Sequence, residues 1–254
     1  MVKWTPEKFT TKDRMKAANE ILKELKDKYK ESLIAVAIEG STAKGLDAPE
    51  SDLELRVLLD KDYNYHRWYA FFYEKMFVGI SYNSVSKALE ASKGIDYEWS
   101  ISGDNLETAE VIFDSRNVYG ELKANNKAAE QNADFEELFL EATTDMYERV
   151  YKVYTLSRMN YIGMTREVAN IAYWAALAVG LANRVKYRSN KTMVEDSFAL
   201  ENTPENYEQH VRSLFLNTDI DDIQNAVSDL WMTFDNWIQQ EVGMNLNDDH
   251  LRYI

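Results

Sequence analysis

Apolar residues recur at helical spacing over residues 12–30, where Met15, Ile21, Leu22 and Leu25 share one side and Glu and Lys fill the others. This predicts an amphipathic helix, with Trp4 packed ahead of it as an anchor. The period then changes. Residues 33–38 are a nearly continuous apolar run, as a buried central strand requires. Residues 52–59 predict the next strand, which ends at Asp60-Lys61-Asp62. Residues 69–82 predict a hairpin turning near Glu74-Lys75-Met76, residues 84–92 a short helix stopped near Gly94, and residues 109–114 a last strand. The first half therefore reads as a mixed sheet with helices on it.

After about residue 116 no β-like alternation of any length appears. Residues 117–131 predict a helix with Tyr119, Leu122 and Ala128 or Ala129 on its apolar side. Residues 134–160 predict a long one carrying Phe135, Leu138, Phe139, Ala142, Met146, Val150 and Val153. Further helices are expected over 166–185, with the small-residue run 172–180, and over 190–199, 207–215 and 219–241. Short loops and several helices predict an antiparallel bundle. The predicted fold class is α+β: an N-terminal mixed-sheet domain over residues 1–127, then a C-terminal helical bundle over 128–254.

Composition narrows the function classes. The chain of 254 residues is 45% hydrophobic with three prolines, so a folded protein is expected. With no cysteine there is no disulfide and no thiolate metal site. No apolar run is long enough for a signal peptide or a membrane helix, and a cytoplasmic address fits. The net charge is −14 and no long basic block exists, which argues against a nucleic-acid partner. The balance favours a cationic partner, or solubility alone.

The chemistry concentrates in residues 37–59. A strand meets a small-residue turn at Gly40-Ser41, then a loop, then a strand opening with Asp52 and Glu54. Alternation puts these two carboxylates on one face, about 6–7 Å apart. That is close enough to share a divalent cation. Gly40 admits close backbone approach and Ser41 offers a hydroxyl and an N–H. A phosphate cradle facing a magnesium-binding acid pair is the chemistry of nucleotidyl transfer. Taken alone, the acid pair is more simply a solvent-facing strand edge. Gly-Ser ten residues before Asp-hydrophobic-Glu-hydrophobic tips the balance.

That spacing resembles the signature of the nucleotidyltransferase superfamily that includes DNA polymerase beta. More specifically, the chain resembles the kanamycin nucleotidyltransferase group of aminoglycoside-modifying enzymes. The likeness is carried by Arg14-Met15-Lys16 and Asp27-Lys28-Tyr29, by Gly40-Ser41 through Ser51-Asp52-Leu53-Glu54, and by His66 with Trp68. It continues through Asp114-Ser115, Glu148 with Lys152, Val179-Gly180-Leu181, Arg184, Tyr187, Trp231 and Trp237. The resemblance implies that the first domain is a nucleotidyltransferase palm. It implies AMP transfer from ATP, with Mg²⁺, to an aminoglycoside hydroxyl, and a homodimer by analogy. Asp52 and Glu54 match the metal ligands, and Gly40 and Ser41 the phosphate-side turn. Ser51 is the small hydroxyl residue before the metal acid. Lys44 stands where the family has an arginine near the triphosphate, a point charge in place of a bidentate fork. Glu148 matches the general base and Lys152 the cation beside it. Ser189 sits near a threonine that contacts the nucleotide. Without the family, Glu148 and Lys152 are an ordinary helical ion pair.

The sequence also departs from that pattern. Gly79 stands where the superfamily often has a third acid, and Arg67 replaces the acid beside the family's His-x-Trp. Acids in this region help hold the substrate's ammonium groups, so the acceptor is affected more than the transfer chemistry. Glu39 precedes Gly-Ser where an apolar residue is usual, and Glu39, Glu74, Glu141 and Asp145 are candidates to restore charge. His66, His210 and His250 lack ligand spacing. The aromatic residues, Tyr173-Trp174 and Trp231 among them, read mainly as core. The expected function is adenylyl transfer to a hydroxyl of an aminoglycoside such as kanamycin. Its alternatives are the same transfer to another small molecule and a non-catalytic nucleotide-binding protein on this scaffold.

Overall fold

The first helix begins where Thr10 can cap it. In the computed structural model, which describes residues 5–60, 67–159, 161–217 and 219–243, α1 spans Thr11–Tyr29. The Thr10 hydroxyl accepts the Asp13 N–H and the Asp13 carboxylate accepts the Thr10 N–H, a reciprocal capping box. Trp4, Lys61, Asp62, His66, Asn160 and His250 lie outside the described residues.

The chain divides into two units, Met1–Ile95 with Gly103–Ala133, and Asp96–Ser102 with Asp134–Ile254. In the first unit, β1 (Leu33–Glu39) runs into a single helical turn, α2 (Gly40–Ala43), and β2 follows at Leu53–Leu59. The hairpin is β3 (Arg67–Tyr73) and β4 (Met76–Ser84). Its turn residues Glu74 and Lys75 both have positive φ, the backbone twist that two-residue hairpin turns favour. Then come α3 (Val85–Ala91), α4 (Trp99–Ser102), α5 (Asn105–Thr108), β5 (Glu110–Asp114) and α6 (Val118–Asn132). Of these, α4 belongs to the second unit.

The five strands are ordered β3-β4-β2-β1-β5. The β2–β4 pair is parallel and the others antiparallel, so the sheet is mixed, as the sequence predicts. One face packs Val36, Ile38, Leu53, Leu55 and Val57 against Ala18, Ile21, Leu22 and Leu25 of α1. The other packs Ala35, Ala37 and Leu58 against Val118, Tyr119 and Leu122 of α6, with Ala88 and Leu89 of α3 beside them. Along β2 this second face changes from fully buried Leu58, through half-buried Arg56, to exposed Glu54. The helices therefore cover one end of the face and leave the carboxylate end open.

The second unit contains α7 (Phe135–Ser157), α8 (Tyr161–Ala182), α9 (Met193–Ser197), α10 (Tyr207–Leu216) and α11 (Ile220–Val242). The α7 stripe buries Phe139, Ala142, Met146, Val150 and Val153, while Phe135 and Leu138 are half-buried. Glu167 of α8 is fully buried against Arg149 of α7 and its neighbour Arg166, which ties α7 to α8. The structure starts α8 five residues before the predicted helix and shortens the predicted 190–199 helix to a little over a turn. Trp231 is buried and stacks on Tyr147 with ring centroids 4.4 Å apart, which agrees with its reading as core.

Candidate active site

The site begins with a glycine. Gly40 has φ of +64°, a left-handed conformation that side chains resist, and it turns β1 into α2. A Cβ on Gly40 would overlap Glu54 Oε2. The carboxylate of Glu54 is therefore laid directly against the Gly40 backbone, an approach that glycine alone allows. Ser41 follows, half-buried, with its carbonyl accepting the Leu46 N–H at 2.9 Å. The predicted small-residue turn is thus a one-turn helix followed by a loop.

Asp52 is half-buried at the residue before β2, and Glu54 is the second residue of that strand. The loop that delivers them is clamped by Arg14, a fully buried guanidinium. Arg14 donates to the carbonyls of Phe9, Ala48 and Pro49, twice to that of Ser51, and to the Asp47 carboxylate at 2.9 Å. Arg14 was missed as a functional residue. The signal is that it stands first in the buried stripe Arg14, Ala17, Ala18, Ile21, Leu22 and Leu25, where charge is out of place. Ser51 is spent locally: its hydroxyl accepts the Ala48 N–H at 2.9 Å. Lys44 is only slightly exposed and pairs with Asp104 at 2.8 Å, so its charge is already held within this unit.

Asp52 and Glu54 stand two residues apart where the chain enters β2, and no group of three or more acid, histidine or cysteine side chains disposed for a metal occurs among the described residues. Two carboxylates suit magnesium, which keeps open positions for phosphate oxygens and water. The glycine seat for Glu54 fits the same role. Glu39 lies directly across from Glu54 in the β1–β2 register. Arg56 Nε approaches Glu39 Oε1 at 2.7 Å, an ionic contact without hydrogen-bond alignment. Burial raises the Glu39 carboxyl above its ordinary range, opposed by Arg56. Glu39 is thus paired with Arg56 in the row beside Glu54.

The two departures on the hairpin separate in space. Arg67 pairs in register with Tyr82, which places it on the α1 face, away from Glu54. Gly79 pairs with Glu54 itself, in the same row. Asp114, part of the family likeness, caps α6 by accepting the Val118 and Tyr119 N–H groups, and Ser115 donates to the Ile34 carbonyl.

The remaining candidates belong to the helical unit. On α7, Lys152 Nζ lies 2.7 Å from Glu148 Oε1, and Arg149 lies 3.5 Å from Oε2. The hydrogen bond from Lys152 holds the Glu148 carboxyl below its usual range. Glu148 is about half exposed, so the pair is open to solvent. Ser189, in the loop after α8, accepts the Lys191 N–H at 3.1 Å. Asp145 and Glu141, with Asp96 and Glu98, surround Tyr97, whose hydroxyl is raised first by burial and then by those charges.

The arrangement is that of a nucleotidyltransferase-like fold. A nucleotidyltransferase-like protein from Exiguobacterium sibiricum matches it with a TM-score of 0.50, over 89% of this chain and 77% of that one, at 11% identity. Residues 116–243, half the chain, match the KNTase C-terminal domain, and the protein belongs to that family. Two relatives from Staphylococcus aureus and a Bacillus species are each 19% identical over 242 residues, covering 91% of this chain and 92% of the relative. Both are named aminoglycoside nucleotidyltransferase (4'). Among the described residues no helix is long and apolar enough to cross a membrane.

Proposed function

We propose that this protein is a nucleotidyltransferase that moves AMP from ATP, with Mg²⁺, to a hydroxyl of a cationic aminoglycoside such as kanamycin. The observation that carries the reading is the seat of Glu54 against Gly40, at the turn that the reading assigns to phosphate. The names of the two relatives support the substrate class. A homodimer belongs to the reading by family analogy.

Asp52 and Glu54 would hold the divalent ion. When bound, that ion neutralises phosphate charge and polarises the reacting phosphorus centre. Ser41 contributes donors on the phosphate side, and Lys44, oriented by Asp104, contributes a cation. Ser51 shapes the chain that leads into Asp52, and Ser189 would contact the nucleotide by analogy with the family's threonine. Glu148 accepts the acceptor hydroxyl's proton as its oxygen bonds to the α-phosphorus. The bond to pyrophosphate breaks at the same centre. Glu148 is ionised near neutrality, and the Lys152 hydrogen bond that lowers its pKa favours the carboxylate while weakening it as a base. Lys152 holds that carboxylate and offers charge to the transferring group. Gly79 and Arg67 favour a second reading, in which the transfer is the same and the acceptor differs.

The test incubates the protein with MgATP and a panel of aminoglycosides and other hydroxylated antibiotics, followed by mass spectrometry. An AMP adduct on an aminoglycoside, absent with Asp52→Asn, supports the whole reading. An adduct on another compound retains the chemistry and replaces the acceptor. ATP binding without any adduct favours a binding-only protein, and neither binding nor transfer overturns the reading.

A further inference from the structure

The row of residues containing Glu54 continues across the sheet into Gly79 and Ala70, and the next row holds Arg56, Ser81 and Trp68. From that second row the Trp68 indole leans back over the first. A Cβ on Gly79 would lie 3.2 Å from Trp68 Nε1 and 3.4 Å from Cζ2. A side chain at position 79 would therefore require the ring to give by a few tenths of an ångström. Glu54 is flanked by two glycines with opposite uses. Gly40 lets the carboxylate touch the backbone on one side, and Gly79 lets an indole lie beside it on the other.

The indole is not part of the core. Trp68 is 58% exposed, on a sheet edge where every residue of β3 but the last is exposed. Phe72 and Phe77 continue the same face, with ring centroids 5.5 Å apart, and are also exposed. An open aromatic strip on the sheet face that carries Glu54 has a specific chemical match. Ring faces attract cations and the C–H faces of sugars, and carboxylates attract ammonium groups. An amino sugar presents both. The adenine of the donor is the other flat candidate, but the proposed phosphate side is the Gly40–Ser41 flank of Glu54, and Trp68 occupies the opposite flank.

We propose that Trp68, seated over Gly79 beside Glu54, is the platform on which the cationic sugar acceptor rests. This rests on the functional reading above and deepens it.

The test compares wild type, Trp68→Ala and Trp68→Phe, with kanamycin as the probe and circular dichroism to confirm folding. In turnover with MgATP, Trp68→Ala should raise KM for kanamycin about tenfold, with kcat and KM for ATP unchanged within about twofold. Trp68→Phe should recover most of the loss. An unchanged KM for kanamycin in Trp68→Ala overturns the proposal, and so does a rise in KM for ATP alone, which would make the ring an adenine platform. A wild type that forms no AMP adduct defeats the functional reading, and the platform is then judged by calorimetric binding of kanamycin without ATP. Binding weakened about fivefold or more by Trp68→Ala supports the platform. Equal binding, or none by wild type, overturns it.

Discussion

The two regions that carry the candidate chemistry are built in opposite ways. The Gly40–Asp52–Glu54 corner of the sheet is over-determined. A left-handed glycine, a strand register and a buried arginine with six donated bonds all converge on it. The Glu148–Lys152 pair rests on one helix turn, and both side chains are substantially exposed. Its geometry is that of many surface ion pairs, which contribute little to stability. A rigid corner suits a group that must present ligands at fixed positions. A solvent-facing carboxylate suits a base that must meet a mobile substrate.

The contrast can be broken most sharply at Asp52. Asp52→Asn should reduce transfer about a thousandfold or more while leaving the fold intact, read by adduct formation and thermal melting. If activity survives, the corner is not the metal site. Arg14→Met should cost about 3–5 kcal/mol in urea unfolding, because it removes the charge partner of the nearly buried Asp47 side chain and a donor from four carbonyls. The same change should lower activity per folded molecule by loosening the approach to Asp52. Gly40→Ala combines a forbidden φ with an overlap on Glu54. It should cost about 1–3 kcal/mol and reduce kcat by an order of magnitude or more, with a smaller effect on acceptor KM.

The helical pair should behave in the reverse manner. Glu148→Gln should change unfolding stability by less than about 0.5 kcal/mol, yet reduce kcat about a hundredfold if Glu148 is the base. Equal kcat would leave only an exposed ion pair. The smallest and most diagnostic effect is on pH. The Lys152 hydrogen bond lowers the Glu148 pKa, so wild type should keep its ionised base as pH falls below the ordinary glutamate range. In Lys152→Met the Glu148 pKa rises, and the acid limb of the kcat/KM profile should move to higher pH. An unmoved limb would separate Glu148 from the proton transfer.

Much of the fold was legible in the residues because period and punctuation are local. The apolar run at 33–38, the Glu74-Lys75 turn and the long stripe of α7 each announce themselves within a few residues. Helix ends were less legible, as the early start of α8 shows, because caps and packing set them together. The acid pair and its glycine were legible by spacing, since strand alternation alone puts Asp52 and Glu54 on one face. Arg14 showed as part of the family likeness and as a charge in an apolar stripe, but not as a clamp, because its six bonds run mainly to a loop more than thirty positions away.

What the sequence by itself determined is therefore the order of elements, the mixed sheet followed by helices, and the identity of the acidic motif. Tertiary structure alone decided what surrounds that motif. From the chain, Gly79 is a missing acid and Arg67 a second one. In the folded sheet, Arg67 turns to the other face, while Gly79 lies in register with Glu54 and supports the Trp68 ring. The physical reason is that register across strands joins residues distant in sequence. Whether an absent side chain is a loss or a seat depends on which neighbour that register delivers.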